Sequence, residues 1–315
     1  MEQINEERRF RRVLVTGATG FVGGAVVQRL KAGGHDVIGL VRTRESGKAL
    51  EASGVRIAVG DMLEPGTFVP LVSQVDAVIH AAQIPTVGRF GAAKLKAVQT
   101  GDRVMTGALA AECLARKRRL IYTSGVFSYG DCGERWVDEE TPFNPSPLGT
   151  GHASEVIRLR ELKASQGLDY VVVSAGFVIG PGGLFKSSFY DQAKQKRLRV
   201  IGGGANYWSC VQLDDLAAAY AAALERAPSG GEYNIVDDAP LPLRELVDEV
   251  TRALKLARVG HISPWILGLI IGGPLVKSLV ASFRVRNAKA RAELGWTPRF
   301  GHVRDALPSA LAALA

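Results

Sequence analysis

The sequence predicts an α/β fold, a doubly wound parallel sheet with a smaller, discontinuous C-terminal lobe. Three observations carry that prediction: short apolar runs alternate with amphipathic ones, a glycine-punctuated turn links the first strand to the first helix, and the composition changes after Gly180-Pro181-Gly182-Gly183. Parallel strands need a helix to carry the chain back each time, so the alternation implies a sheet covered on both faces. Right-handed crossovers and a ligand crevice at the strand ends follow. With 315 residues, 47% of them hydrophobic, the chain is long enough for one large domain carrying a smaller lobe.

The first strand is Arg12 to Thr16, and Gly17, Gly20 and Gly23 then open an amphipathic helix closed by Gly33 and Gly34. Glycines at this spacing let the backbone approach a pyrophosphate, leave the first helical amides free to donate to it, and seat the helix tightly on the sheet. A dinucleotide is the expected ligand, with Gly17, Thr19, Gly20, Phe21, Val22 and Gly23 as candidate contacts. A second strand covers His35 to Val41, a polar helix Ser46 to Ala52, and a third strand Val55 to Val59, ending in Gly60-Asp61. An acidic residue closing the second strand would bind both ribose hydroxyls of NAD; this chain has Arg42 and Arg44, then Lys48, whose charge suits a 2'-phosphate. NADP(H) is therefore expected rather than NAD(H).

A fourth strand spans Val75 to His80, a long helix about Ala92 to Ala115, and a fifth strand Arg119 to Thr123. A loop rich in charge and proline runs from Gly130 to Pro147, followed by a helix from about Thr150 to Ser165 and a sixth strand from Tyr170 to Ser174. Gly176 to Gly183 then leaves the sheet, Val211 to Ala227 returns to the main domain as a strand edge and helix, and Tyr233 to Val236 is a further strand. The expected division is residues 1–182 with 206–237 for the dinucleotide domain, and 183–205 with 238–315 for the lobe.

Several function classes are disfavoured. Residues 1–12 are charged and lack the apolar core of a signal peptide. Cys113, Cys132 and Cys210 fit neither a metal spacing nor a disulfide framework, so a reducing, cytoplasmic setting is expected, without a metal. The net charge of +8 falls in short scattered clusters, Arg8 to Arg12, Arg116 to Arg119 and Lys194 to Arg199, which argues against a nucleic-acid partner. The apolar stretch Ile262 to Val276 is broken by Pro264, Gly272, Gly273 and Pro274 and is shorter than the roughly twenty residues a bilayer requires. It is read as buried helices or the wall of an apolar substrate pocket, with peripheral membrane contact as the alternative.

Read in order, several motifs resemble the extended short-chain dehydrogenase/reductase family, also called the NAD-dependent epimerase/dehydratase family. They are T-G-A-T-G-F-V-G at Thr16 to Gly23, G-D at Gly60-Asp61, V-I-H-A-A at Val78 to Ala82, Y-T-S-G-V-F-S-Y-G at Tyr122 to Gly130, G-P-G-G at Gly180 to Gly183, V-Q-L-D-D-L-A at Val211 to Ala217, and L-G-W-T-P at Leu294 to Pro298. The resemblance implies a Rossmann domain with a C-terminal substrate lobe, Asp61 near the adenine and Ala81-Ala82 along the cofactor; Met62 and Thr123 complete the candidate contacts. It also implies a homodimer through the helices at Ala92 to Ala115 and Thr150 to Ser165.

The family's chemistry uses a tyrosine as general acid or base, a lysine four residues later that lowers its pKa, and a serine or threonine that polarises the substrate oxygen. Here those positions differ. Anchoring on Glu155 places Pro147 and Gly151 at the tyrosine and lysine positions; anchoring on Tyr129-Gly130 places Gly125 at the serine position, with Ser124 one residue earlier. Val104 is nearest the asparagine expected on the long helix. Three readings follow: an NADP-dependent reductase or isomerase with a relocated proton donor, drawn from His152, Ser124, Tyr129 and His80; an enzyme, such as a cyclase or a reductase of a conjugated acceptor, that needs no strong protein acid; or a catalytically inactive NADP(H)-binding sensor or scaffold. Phe185, Phe189, Tyr190, Tyr207, Trp208, Trp265 and Phe283 suggest a hydrophobic or aromatic substrate, and Arg197 and Arg199 would serve an anionic one.

Overall fold

The alternation along the first strand explains the layers. In β1 (Arg12–Thr16), Val13 and Val15 enter one apolar cluster with Val26, Val27 and Leu30 of helix α1 (Phe21–Ala32). Leu14, between them, enters another on the opposite face with Leu109 and Cys113 of helix α3 (Ala92–Arg116) and Val156 and Leu159 of helix α4 (Thr150–Gln166). The structure is a computed structural model and describes residues 10–84 and 89–314; the charged stretch at residues 1–9 lies outside the described residues.

The remaining strands of the sheet are β2 (Asp36–Val41), β3 (Arg56–Val59), β4 (Ala77–His80), β5 (Arg119–Gly125), β6 (Tyr170–Ala175) and β7 (Gly231–Ile235). Every pairing is parallel, in the order β7-β6-β5-β4-β1-β2-β3. This is a doubly wound Rossmann sheet, with its order reversing beside β1, where a crevice opens at the strand C-termini. Ladder partners decide the strand ends: β5 runs to Gly125 instead of stopping at Thr123 because Ser174 and Ala175 pair with Ser124 and Gly125.

Helix α2 (Arg44–Ala52) begins two residues before the expected Ser46. Thr43 accepts from the Ser46 amide through its side chain while Ser46 Oγ faces the Thr43 amide, so Ser46 is the third residue of a capped first turn rather than the start. The segment from Val211 was expected to begin as a strand edge of the main sheet; the strand observed, Cys210–Gln212, pairs instead with Phe177–Ile179 in a separate two-stranded ladder, because β7 already occupies the edge beside β6. The helix that follows, α5 (Leu213–Arg226), does pack in the α1 cluster through Leu216, Ala219 and Tyr220.

A third apolar cluster joins Phe185, Phe189, Leu198 and Trp208 to Leu243, Leu246, Val250, Phe283 and Leu307, and draws in Val126, Tyr129, Phe177 and Ile179. Against it lie two short helices, α7 (Pro264–Ile271) and α8 (Gly273–Leu279), with α6 (Leu243–Ala253) preceding them. Of the two readings of the apolar stretch, fully buried helices do not hold, since no residue of α7 is buried and Trp265, Ile266, Leu269 and Ile270 are exposed, although Val276 of α8 is buried; Ile270, Ile271 and Leu275 do line the wall of an apolar cavity. Gly272 forces the break between α7 and α8, with φ of 102° against the Phe90 backbone, so the stretch forms a surface hairpin whose other side faces a cavity. Among the described residues, no helix is long and apolar enough to cross a membrane.

Candidate active site

The crevice is built by close backbone contacts that only glycine permits. Gly17 has φ of 67°, and a Cβ there would sit 2.8 Å from the Ala82 Cα at the end of β4. A Cβ on Gly23 would lie 2.2 Å from the Gly17 carbonyl oxygen, so the turn and the first turn of α1 are pressed together. No side chain caps α1, which leaves its first amides and the positive end of its dipole to the crevice. The cleft, about 540 Å³, is lined along this edge by Gly17, Thr19, Gly20, Phe21, Val22 and Gly23. Arg42, Asp61 and Met62 line it beyond β2 and β3, and Ala81, Ala82 and Thr123 beyond β4 and β5. Such a cradle fits a dinucleotide.

The three cations after β2 separate. Arg44 pairs with Glu51 at 2.6 Å and Lys48 with Glu45 at 2.6 Å, both on the surface of α2, and neither lines the cleft. Arg42 lines it, with no ion pair or hydrogen bond of its own among the described residues. Gly180, Gly182 and Gly183 lie against the Phe21 ring so closely that a Cβ on any of them would approach ring carbons to 2.6–2.9 Å, and Gly183 lines the cleft. That contact positions Leu184 over the cleft.

Past Thr123 the cleft continues into a second cavity of about 220 Å³, lined by Gln83, Asp102, Met105, Ser124, Gly125, Gly151 and His152 among others. Here the structure joins residues that are far apart in the chain. The Tyr122 hydroxyl lies 2.9 Å from Asp102 Oδ2 and 2.8 Å from His152 Nδ1, and Thr106 Oγ1 donates to the other Asp102 oxygen at 3.3 Å. The tautomer satisfying every partner has Tyr122 donating to Asp102 and His152 Nδ1–H donating to the Tyr122 oxygen, which leaves His152 Nε2 as an acceptor. Its nearest polar neighbour is Gln83 Nε2 at 3.5 Å, too long for a strong bond. Burial lowers the His152 pKa below the ordinary imidazole value, partly opposed by Asp102. The hydroxyl of Ser124, buried in the same wall, has no hydrogen-bond partner among the described residues.

The other two candidate proton donors stand elsewhere. Tyr129 lines none of these cavities; its hydroxyl donates to Asn234 Oδ1 at 3.0 Å, and burial raises its pKa far above the ordinary phenol value. His80 sits at the end of β4 with Nδ1 2.8 Å from Thr16 Oγ1, and burial lowers its pKa to about 4. Thr16 Oγ1 also accepts from the Ala82 amide, so this pair fixes the strand end beside the glycine turn rather than facing a substrate. Val104 is 40% exposed and does not line the cavity; α3 turns Leu95, Val98, Gln99, Asp102 and Met105 toward it.

Asp102 and Tyr122 were not anticipated as a pair. A signal existed: Met105, Leu109 and Cys113 form the buried stripe of α3, and Asp102 continues that stripe one turn earlier, an acid at an apolar position. A third cavity, about 440 Å³, adjoins the cleft where Phe127, Phe177 and Leu184 line both. Of the aromatic residues proposed for substrate, Phe189 and Trp208 line it; Phe185 and Phe283 are interior to the third cluster, and Trp265 is 73% exposed. The hydroxyl of Tyr190 donates to the Leu314 carbonyl, while Tyr207 stacks beneath Arg284. Arg199 lines the third cavity and Arg197 does not.

Residues 13–236 match the NAD dependent epimerase/dehydratase family. The chain belongs to that family. Within its range of sequences, the 3-diazoavenalumate denitrifying reductase of a Streptomyces species is 29% identical over 310 residues, covering 94% of this chain and 99% of that one. The dTDP-glucose 4,6-dehydratase DesIV of Streptomyces venezuelae, solved with NAD and TYD, superposes with a TM-score of 0.82 at 22% identity over 96% of each chain. The human epimerase family protein SDR39U1, solved with NADPH, superposes with a TM-score of 0.79 at 22% identity, covering 96% of this chain and 99% of that one. These two solved structures share the fold across almost the whole chain, one holding NAD and the other NADPH.

Proposed function

We propose that this chain is an NADP(H)-dependent reductase of small apolar or aromatic molecules, in which His152, oriented by Tyr122 and Asp102, moves the proton that a tyrosine and lysine usually move. One observation carries the reading: the cavity beside Thr123 presents His152 and Ser124, and among the described residues neither a tyrosine nor a lysine lines it. A nicotinamide in the adjoining cleft supplies the hydride. His152 Nε2 exchanges a proton with the substrate, and the Asp102 carboxylate, 3.8 Å from Nδ1, stabilises the imidazolium through the intervening phenol. Ser124 polarises the acceptor after rotation about its Cα–Cβ bond. The unpaired Arg42 at the cleft favours a 2'-phosphate, and the Streptomyces relative, which spans nearly the same length, is itself named a reductase.

Because burial keeps imidazole neutral at pH 7, the proton-donating form grows as pH falls, and reduction accelerates toward acid. The test is NADPH consumption on a panel of ketones, enones and aromatic acceptors, with NADPH affinity measured alongside. Turnover that falls with His152→Ala supports the reading. Turnover insensitive to His152→Ala but lost in Ser124→Ala favours an acceptor needing no protein acid, and tight NADPH binding without turnover favours a sensor.

A further inference from the structure

The third cavity does not resemble a simple extension of an apolar core. Its walls are Phe127, Phe177, Phe189, Trp208, Leu243 and Val247 with further aliphatic residues, yet Arg89 and Arg199 also line it and no acidic residue does. Neither guanidinium has an ion pair among the described residues. Arg199 is tethered through Nη1 to the Lys196 and Leu198 carbonyls at 3.1 and 2.7 Å, which fixes its position and leaves the rest of its donor fork uncommitted. Two unpaired guanidiniums beside a largely apolar wall match a ligand with an apolar body and a planar anion at one end. A volume of about 440 Å³ suits a small-molecule ligand.

We infer that this cavity binds the tail of an amphiphilic carboxylic acid, with the carboxylate held by Arg89 and Arg199. Phe127 and Leu184 line all three cavities and form the neck between them. A molecule threaded through that neck places its reducible group beside Ser124 and His152 in one cavity and its carboxylate beside Arg89 and Arg199 in the other. The substrate is therefore reduced at the end remote from its acid group. The orientation, though not the acid site itself, rests on the reductase reading.

Isothermal titration of the full-length protein with decanoate and decanol, which share an apolar tail, tests the site without needing turnover. Decanoate should bind about tenfold more tightly than decanol. An Arg89→Ala, Arg199→Ala double variant should bring decanoate to the level of decanol and leave decanol unchanged. Ser188→Trp, an exposed rim substitution that obstructs the cavity without disturbing its core, should weaken both. Equal binding of the two probes, or decanoate affinity unaffected by the double variant or by Ser188→Trp, would overturn the assignment. NADPH titrated separately keeps the two ideas apart: loss of NADPH binding with decanoate binding intact refutes the reductase and not the acid site.

Discussion

Two adjacent glycines in α1 should respond oppositely to the same substitution. In Gly23→Ala the new methyl would lie 2.2 Å from the Gly17 carbonyl oxygen, whereas ordinary contact begins near 3.4 Å, so the helix start and the turn must separate by roughly 1.2 Å. Overpacking of that kind costs about 1–3 kcal/mol, against a total stability of about 5–15 kcal/mol, so the variant should fold and melt several degrees lower. The helix amides, however, move away from the pyrophosphate. Loss of one hydrogen bond to a charged group, worth about 1.5–3 kcal/mol, lowers NADPH affinity roughly 10- to 150-fold. In Gly24→Ala the methyl meets only the Ala18 carbonyl at 3.5 Å, an ordinary contact, and alanine is about 1 kcal/mol better than glycine in a helix. That variant should melt higher and bind NADPH as the parent does. Fluorescence titration and thermal unfolding of both proteins decide the matter; a Gly23→Ala protein that binds NADPH within about twofold of the parent would refute the argument that the turn is held at contact distance to aim these amides.

Three further outcomes are expected. Arg42→Ala should weaken NADPH binding about 10- to 100-fold while leaving NADH unchanged, and Arg44→Ala, already paired with Glu51, should do neither; equilibrium titration with both nucleotides separates them. Tyr122→Phe should lower kcat for reduction about 10- to 100-fold with little change in KM, and His152→Ala should flatten the rise in rate toward acid pH; pH profiles of parent and variants read both effects. Burial holds His80 down to about 4 from 6.5, so the unfolded chain binds the extra proton between those values. Its stabilising contribution is complete above pH 6.5 and is lost as pH falls toward 4, about 3 kcal/mol in all, a slope that urea unfolding should show in the parent and not in His80→Asn.

The sheet was legible because its signals are local. Apolar runs such as Val13 to Val15 and Leu120 to Ile121 reveal strands whichever partner they find, and a capped turn or a glycine stop such as Gly33 or Gly167 marks a helix end from its immediate neighbours. Where the sequence misled, the deciding force came from elsewhere in the fold. Cys210–Gln212 leaves the main sheet because its edge is taken, and the apolar hairpin around Gly272 lies on the surface because Phe90 and the third cavity receive only one side of it; the start of α2 ahead of Ser46 is the exception, set by a local reciprocal cap with Thr43.

By itself the sequence determined the glycine turn from Gly17 to Gly23, the strands beside it and the positive charge following β2, since each depends on backbone conformation or composition within a few residues. Only the structure shows that Arg42 lines the cleft while Arg44 and Lys48 pair along α2. It alone brought Asp102, Tyr122 and His152 into one chain of contacts across separations of 20 and 30 residues. Such a constellation depends on how α3, β5 and α4 pack, and packing distances are set by the whole core rather than by any stretch of sequence.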